Sequence, residues 1–164
     1  MPNLLIIGCG AAIHPVHLHG WNETFVDVNP AANPTHQWSI TDAAHVGLLK
    51  TQYAAHFHCI FFENIPNTIF TSDLVTLVVM NALDQILRPG GVVRFRTGAD
   101  GGGLAMQIKK TFLRWGYQVI HEAARDLAAA VHEHDLAVPD NELDEPFDLQ
   151  FQKVPGATRT AATV

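Results

Sequence analysis

Short apolar runs punctuate this chain, separated by stretches whose apolar residues recur at helical spacing or by compact turns. Each run ends in Gly, Asp, Asn or Pro, the rhythm of parallel strands joined by crossovers. The first is Asn3 to Ile7, stopped by Gly8-Cys9-Gly10, and the second is Thr24 to Val28, stopped by Asn29-Pro30. Gln37 to Thr41 is a weaker third run ending at Asp42, and Cys59 to Phe62 is the fourth, closed by Glu63-Asn64-Ile65-Pro66. Leu74, Leu77, Val78, Leu83, Ile86 and Leu87 fall close to helical spacing, so Ser72 to Leu87 is predicted as a helix capped by Ser72 or Asp73. Pro89-Gly90-Gly91 breaks it, and the β-branched and aromatic Val92 to Arg96 is the fifth strand. Leu104 to Trp115 is the next helix and Gly116 to Ile120 the sixth strand.

Phe147 to Gln152 alternates strictly between apolar and polar, which predicts a half-exposed edge strand closing the sheet. Before it come an Ala-rich helical piece around Asp126 to His134 and an acidic loop, Asp140 to Glu145. Pro30 and Pro34 oppose a helix between the second and third strands, so a loop is expected there. These elements predict one α/β domain over residues 1–154, followed by a small, polar, frayed tail over residues 155–164. The expected architecture is a three-layer sandwich around a mainly parallel seven-stranded sheet with an antiparallel C-terminal edge strand.

Composition narrows the function classes. With 164 residues, 48% of them apolar and 16% charged, the chain is sized for a single packed core and is too apolar for disorder. A net charge of -6 with 10 Lys+Arg gives no electrostatic footprint for a phosphate backbone, so nucleic acid is not the expected partner. Cys9 and Cys59 sit inside apolar runs, which suggests neither a disulfide framework nor a four-cysteine zinc site, and a cytoplasmic location is expected. Met1-Pro2-Asn3 leads straight into the first strand without the features of an export signal. Apolar stretches such as Leu74 to Met80 are far shorter than the roughly 20 residues a membrane helix needs, so no membrane association is expected.

The candidate chemistry gathers at the strand ends. Gly8-Cys9-Gly10-Ala11-Ala12 suits a sharp turn against which a ligand can lie without an intervening Cβ. A dinucleotide fingerprint would need a third glycine where Ile13 stands, which counts against a pyrophosphate ligand. Asp27 follows Gly8 by nineteen positions, where a carboxylate can accept both hydroxyls of a ribose bound at the turn. Asp42 follows the third run, where a purine amino group would meet the sheet's carboxyl edge. It is equally well placed to start a helix.

In order along the chain, these strings resemble those of class I S-adenosylmethionine-dependent methyltransferases. Leu5-Ile6-Ile7-Gly8-Cys9-Gly10 is similar to the family's glycine motif, and Phe25-Val26-Asp27-Val28-Asn29-Pro30 to its ribose-binding strand end. Asp42-Ala43 resembles the adenine-contacting pair, Phe57 to Asn64 the fourth-strand motif, and Leu87-Arg88-Pro89-Gly90-Gly91 the turn before the fifth strand. The resemblance implies S-adenosylmethionine as cofactor, held by Gly8, Cys9, Gly10, Ala11, Asp27, Val28, Asn29, Asp42, Ala43 and Glu63. It also implies that Glu63 and Asn64 face the acceptor as catalytic residues. The chain departs from the family where Ile6 replaces an acidic residue and Ala12 a glycine, which predicts weak cofactor binding. Asn64-Ile65-Pro66 differs from the Asn-Pro-Pro-Tyr string that accompanies amine methylation on bases or glutamine.

His14, His17 and His19, and later His132 and His134, have no recurrent metal-ligand spacing, so no metal is expected. Three functional readings follow. One is methyl transfer to a small-molecule or protein acceptor. A second is a catalytically degenerate module acting through a protein partner. In a third, a second copy or a partner protein supplies the lid that the family's N-terminal segment would provide.

Overall fold

In the computed structural model, the described residues are 1–10, 20–63, 67–70, 72–97, 101–124 and 147–157. Their strands are β1 Asn3–Ile7, β2 Asn22–Val26, β3 Phe57–Phe62, β4 Leu87–Thr97, β5 Tyr117–Ala124 and β6 Phe147–Lys153. The helices are α1 Ala43–Gln52, α2 Asp73–Ile86 and α3 Gly101–Arg114. The sheet runs β2-β1-β3-β4-β6-β5. Its first four strands are mutually parallel, and β6 is antiparallel to both neighbours.

Alternation within the strands divides the interior. Leu5, Ile7, Ile60, Phe62, Val93, Phe95, Leu149 and Phe151 turn to one face, where α1, α2 and α3 cover them with Val46, Leu49, Met80, Leu83, Ile86, Ile108 and Phe112. Aromatic rings dominate this core: Phe62 stacks on Phe95 with centroids 4.7 Å apart, and Phe112 on Phe151 at 4.4 Å. Leu4, Ile6, Ala32 and Phe61 form a smaller cluster on the opposite face.

Two expectations need correction. The sheet has six strands among the described residues, because Gln37 to Thr41 forms no strand. The third strand shrinks to a single bridge, Val26 to His36, and the crossover before it is one 3-10 turn, Pro30–Ala32. Pro30 and Pro34 supply no backbone N–H, and Asn33 is left-handed at φ 47°, so the chain reaches the sheet too late to pair further.

The second correction concerns β6, which lies between β4 and β5, leaving β5 at the edge. The polar positions that suggest an exposed edge find partners inside the fold. Gln152 Nε2 donates to the Gly90 carbonyl at 3.2 Å, and Lys153 Nζ donates to the carbonyls of Leu87 and Asp84. The three described α-helices all cover one face of the sheet. The predicted helical piece at 126–134, the acidic loop at 140–145 and most of the tail, 158–164, lie outside the described residues.

The Pro89-Gly90-Gly91 break falls inside β4 and not before it. Pairing jumps from Phe57 with Leu87 to Cys59 with Val92, so Arg88 to Gly91 bulge out of the ladder. Gly90 takes a φ of 76°, and a Cβ on Gly91 would sit 2.8 Å from the Leu87 side chain and 2.9 Å from the Arg88 carbonyl. Leu87 is fully buried and has no room to yield. Gly91→Ala is therefore expected to cost about 1–3 kcal/mol of stability as an overpacking change. A urea midpoint equal to wild type would contradict that crowding. Among the described residues, no helix is long and apolar enough to cross a membrane.

Candidate functional site

The tips of β2, β1 and β3 lie side by side, and their ladder continues beyond the strands. Gly8 N–H donates to the Val26 carbonyl at 3.0 Å, and Glu63 N–H to the Ile7 carbonyl at 3.0 Å. Past these bonds β1 turns, with Gly8 at φ 76° and Gly10 at φ 65°. Both are in the left-handed region, where a Cβ is disfavoured, which accounts for glycine at each end of the turn.

Asp27 sits one residue beyond β2 and is largely buried. Its Oδ2 accepts the Gly10 N–H at 3.0 Å and its Oδ1 the Asn29 N–H at 2.8 Å. The Cys9 thiol makes a longer contact with Oδ2, 3.8 Å. One carboxylate thus fastens the turn after β1 to the turn after β2. A carboxylate has about four lone-pair sites, so acceptor capacity remains for a ligand's hydroxyls. Asn29 extends the arrangement by accepting the Ala31 N–H at 3.0 Å through its side chain, which caps the 3-10 turn.

Glu63 is buried at the tip of β3. Burial pushes the Cys9 thiol up to about 11, and the charges of Asp27 and Glu63 add to the effect. Cys59 is likewise raised to about 11 by burial. At pH 8 the thiolate fraction of Cys9 is on the order of 0.001, so in a Cys59→Ser background iodoacetamide should label it about 100-fold more slowly than an ordinary thiol. The rate is expected to rise about tenfold per pH unit up to the thiol's pKa. Rapid, pH-independent labelling of the folded protein would refute this account of the pocket.

Asp42 occupies a different position. It is the N-cap of α1, accepting the N–H groups of Ala44 at 2.9 Å and His45 at 3.0 Å, and Ala43 is the first helical residue. The His45 N–H bond, with the nearby imidazole and the Ala44 N–H, holds its carboxyl below the usual range. Val28 is exposed beside Asp27. The structure therefore gathers Gly8, Cys9, Gly10, Asp27, Asn29 and Glu63 around the strand tips, while the Asp42 carboxylate serves the helix. Ala11, Ala12, Ile13 and Asn64 lie outside the described residues, as do His14, His17, His19, His132 and His134. Among the described residues, no group of three His, Cys, Asp or Glu side chains could hold a metal ion.

Two contributors carry no local sequence signal. His36 N–H donates to the Phe25 carbonyl at 3.0 Å, and the His36 carbonyl accepts the Asp27 N–H at 3.3 Å. Thr35 Oγ1 accepts the Phe25 N–H at 3.0 Å. They lie in the segment whose strand did not form, and their role comes from where the chain returns to β2.

No protein-family model matches the sequence, and no curated protein matches it. Solved structures do match in fold. An N-methyltransferase, NodS from Bradyrhizobium japonicum WM9, superposes with a TM-score of 0.59 over 93% of this chain and 86% of that one, at 16% identity. A geranyl diphosphate C-methyltransferase from Streptomyces coelicolor A3(2), in complex with S-adenosyl-L-homocysteine, gives 0.63 over 94% and 74%, at 10% identity. A 30S ribosomal A1408 methyltransferase from an uncultured bacterium gives 0.64 over 93% and 88%, at 8% identity.

Proposed function

From the class I S-adenosylmethionine-dependent methyltransferase fold, which this chain has, we propose that the strand-tip site binds S-adenosylmethionine and serves methyl transfer to a small-molecule acceptor. The observation that carries the reading is the Asp27 clamp, which pins a turn with left-handed glycines at both ends against the end of β2. The donor set suits the ligand. Asp27 offers acceptors for a ribose diol, and the glycine turn leaves its backbone uncovered by Cβ atoms where a nucleoside would lie. Asp27 and Glu63, both buried and both acidic, suit a ligand carrying a cationic centre.

When bound, S-adenosylmethionine supplies a methyl group on a positively charged sulfur, a leaving group that needs no acid catalyst. The chain's own task is then alignment, which lowers the barrier through positioning. Glu63, at the tip of β3, and the adjoining Asn64 are assigned to the acceptor side. Glu63 takes the proton if the acceptor must lose one. Val28 and Asn29 would flank the nucleoside from the β2 side, Cys9 and Ala11 from the turn, and Asp42 and Ala43 would approach the base from the start of α1.

The named acceptors of the structural neighbours differ from one another, and one is ribosomal. This chain's net charge of -6 argues against an RNA acceptor and favours a small one. A second reading, a module that retains the fold without turnover, is favoured by the reduction of the third strand to one bridge. Calorimetry with S-adenosylhomocysteine, followed by transfer assays on pooled metabolites and then on protein extract, tests both. Binding with product formation on metabolites supports the first reading, and binding without any product supports the second. An absence of heat at high micromolar ligand overturns the cofactor assignment.

A further inference from the structure

With the third strand reduced to one bridge, something else must hold the outer side of β2 where Asp27 emerges. His36 is the bridging residue. Its main chain accepts the Asp27 N–H at 3.3 Å and donates to the Phe25 carbonyl at 3.0 Å, one residue from the end of β2. A lone bridge of this kind is weak, since each net hydrogen bond contributes only about 1 kcal/mol and nothing along a ladder cooperates with it.

The side chain of His36 is held from two directions. Its Nε2 lies 2.7 Å from the Tyr53 hydroxyl, and its ring stacks on Trp38 at 4.0 Å with the planes 8° from parallel. Tyr53 is the C-cap residue of α1, the helix whose other end is capped by Asp42. The same hydroxyl accepts from Gln52 Nε2 at 3.3 Å. The Tyr53 ring is fixed by Phe57, 5.0 Å away at the start of β3. Tyr53 thus ties the bridge to the end of α1 at one oxygen. Burial keeps His36 below its usual pKa, so at neutral pH the imidazole is uncharged and this pairing is a neutral one.

We infer that His36 and Tyr53 are positioning residues for the nucleoside site, a side-chain brace that replaces the missing third strand and fixes Asp27 through the His36 main chain. The inference rests on the reading of Asp27 as the ribose-binding carboxylate. It assigns the pair no contact with ligand.

Tyr53→Phe removes the hydroxyl and keeps the ring on Phe57, and His36→Gln provides a second variant should the first fail to fold. In the full chain, titrated with S-adenosylhomocysteine, either variant is expected to weaken binding about fivefold, the worth of one net hydrogen bond. Combined with Asp27→Asn, the brace variant should cost little more, because its effect passes through that carboxylate. The ligand-free amide resonances of Gly10 and Asn29, both donors to Asp27, should move, while that of Gly116 stays in place. A lower melting temperature with unchanged affinity and unchanged Gly10 and Asn29 resonances would make the pair merely structural and overturn the inference. Failure of the wild type to bind overturns the nucleoside reading itself, an outcome distinct from wild-type binding that the brace variants leave intact.

Discussion

Asp27→Ala is expected to weaken S-adenosylhomocysteine binding by about 100-fold or more. The variant removes a buried carboxylate that the proposed function assigns to both ribose hydroxyls, and hydrogen bonds to a charged group are worth about 1.5–3 kcal/mol each. Even one such bond lost at the upper end corresponds to roughly 100-fold in affinity. The free protein is also affected, because Gly10 N–H at 3.0 Å and Asn29 N–H at 2.8 Å lose their acceptor and the glycine turn loses its fastening. Asp27→Asn retains one acceptor oxygen and should fall between wild type and alanine. Calorimetry on the three proteins decides the matter, and an alanine variant that binds as wild type does would remove Asp27 from the site.

The largest loss of stability is expected from Phe95→Ala. Phe95 is fully buried on β4 and stacks on Phe62 at 4.7 Å with an interplanar angle of 6°. The rings of Phe70, Phe112 and Phe151 meet it edge-on at 5.6, 5.3 and 6.0 Å. Phe112 and Phe151 come from α3 and β6, so this ring joins the helical layer to the antiparallel end of the sheet. Truncating a buried Phe costs about 3–5 kcal/mol, set against a typical total of about 5–15 kcal/mol for a domain. Urea denaturation should show the midpoint falling by a third or more, with the slope unchanged. A loss under about 1 kcal/mol would mean that the aromatic cluster is not the centre of the core.

Parts of the site were legible because their causes are local. A glycine on either side of Cys9 after an apolar run marks a turn that needs left-handed backbone, and Gly8 and Gly10 adopt it. Asp27 and Glu63 end runs of strand type, so their arrival at neighbouring tips follows from parallel pairing in register, Ile7 opposite both Val26 and Phe62. Asp42 was ambiguous for a physical reason. The chemistry that makes a carboxylate a good acceptor for a base's amino group also makes it a good N-cap, and in the fold it accepts the N–H groups of Ala44 and His45. His36 and Tyr53 were not legible at all, since their contact spans seventeen positions of chain and neither residue type marks a bridge.

The sequence by itself determined the strands β1 to β6 and the helices α2 and α3, and much of what they bury, while α1 was legible only as a possible start at Asp42. Burial acts on side chains, which stand perpendicular to a sheet and recur at fixed periods, so the apolar pattern records it directly. Leu83 and Ile86 in the α2 pattern, and Leu149 and Phe151 on β6, are buried as that pattern implies, whereas Leu74, read on the same helical spacing, is exposed. Tertiary structure alone decided which strands are neighbours, that the Gln37 to Thr41 run contributes no strand, that β6 enters between β4 and β5, and what braces the outer side of β2. Pairing is made by backbone groups lying in the plane of the sheet, and every residue but proline carries the same N–H and C=O. Side-chain alternation runs at right angles to that plane and records nothing of it. The choice was made by long-range partners, such as Lys153 for the Leu87 carbonyl at the start of β4 and His36 for the end of β2.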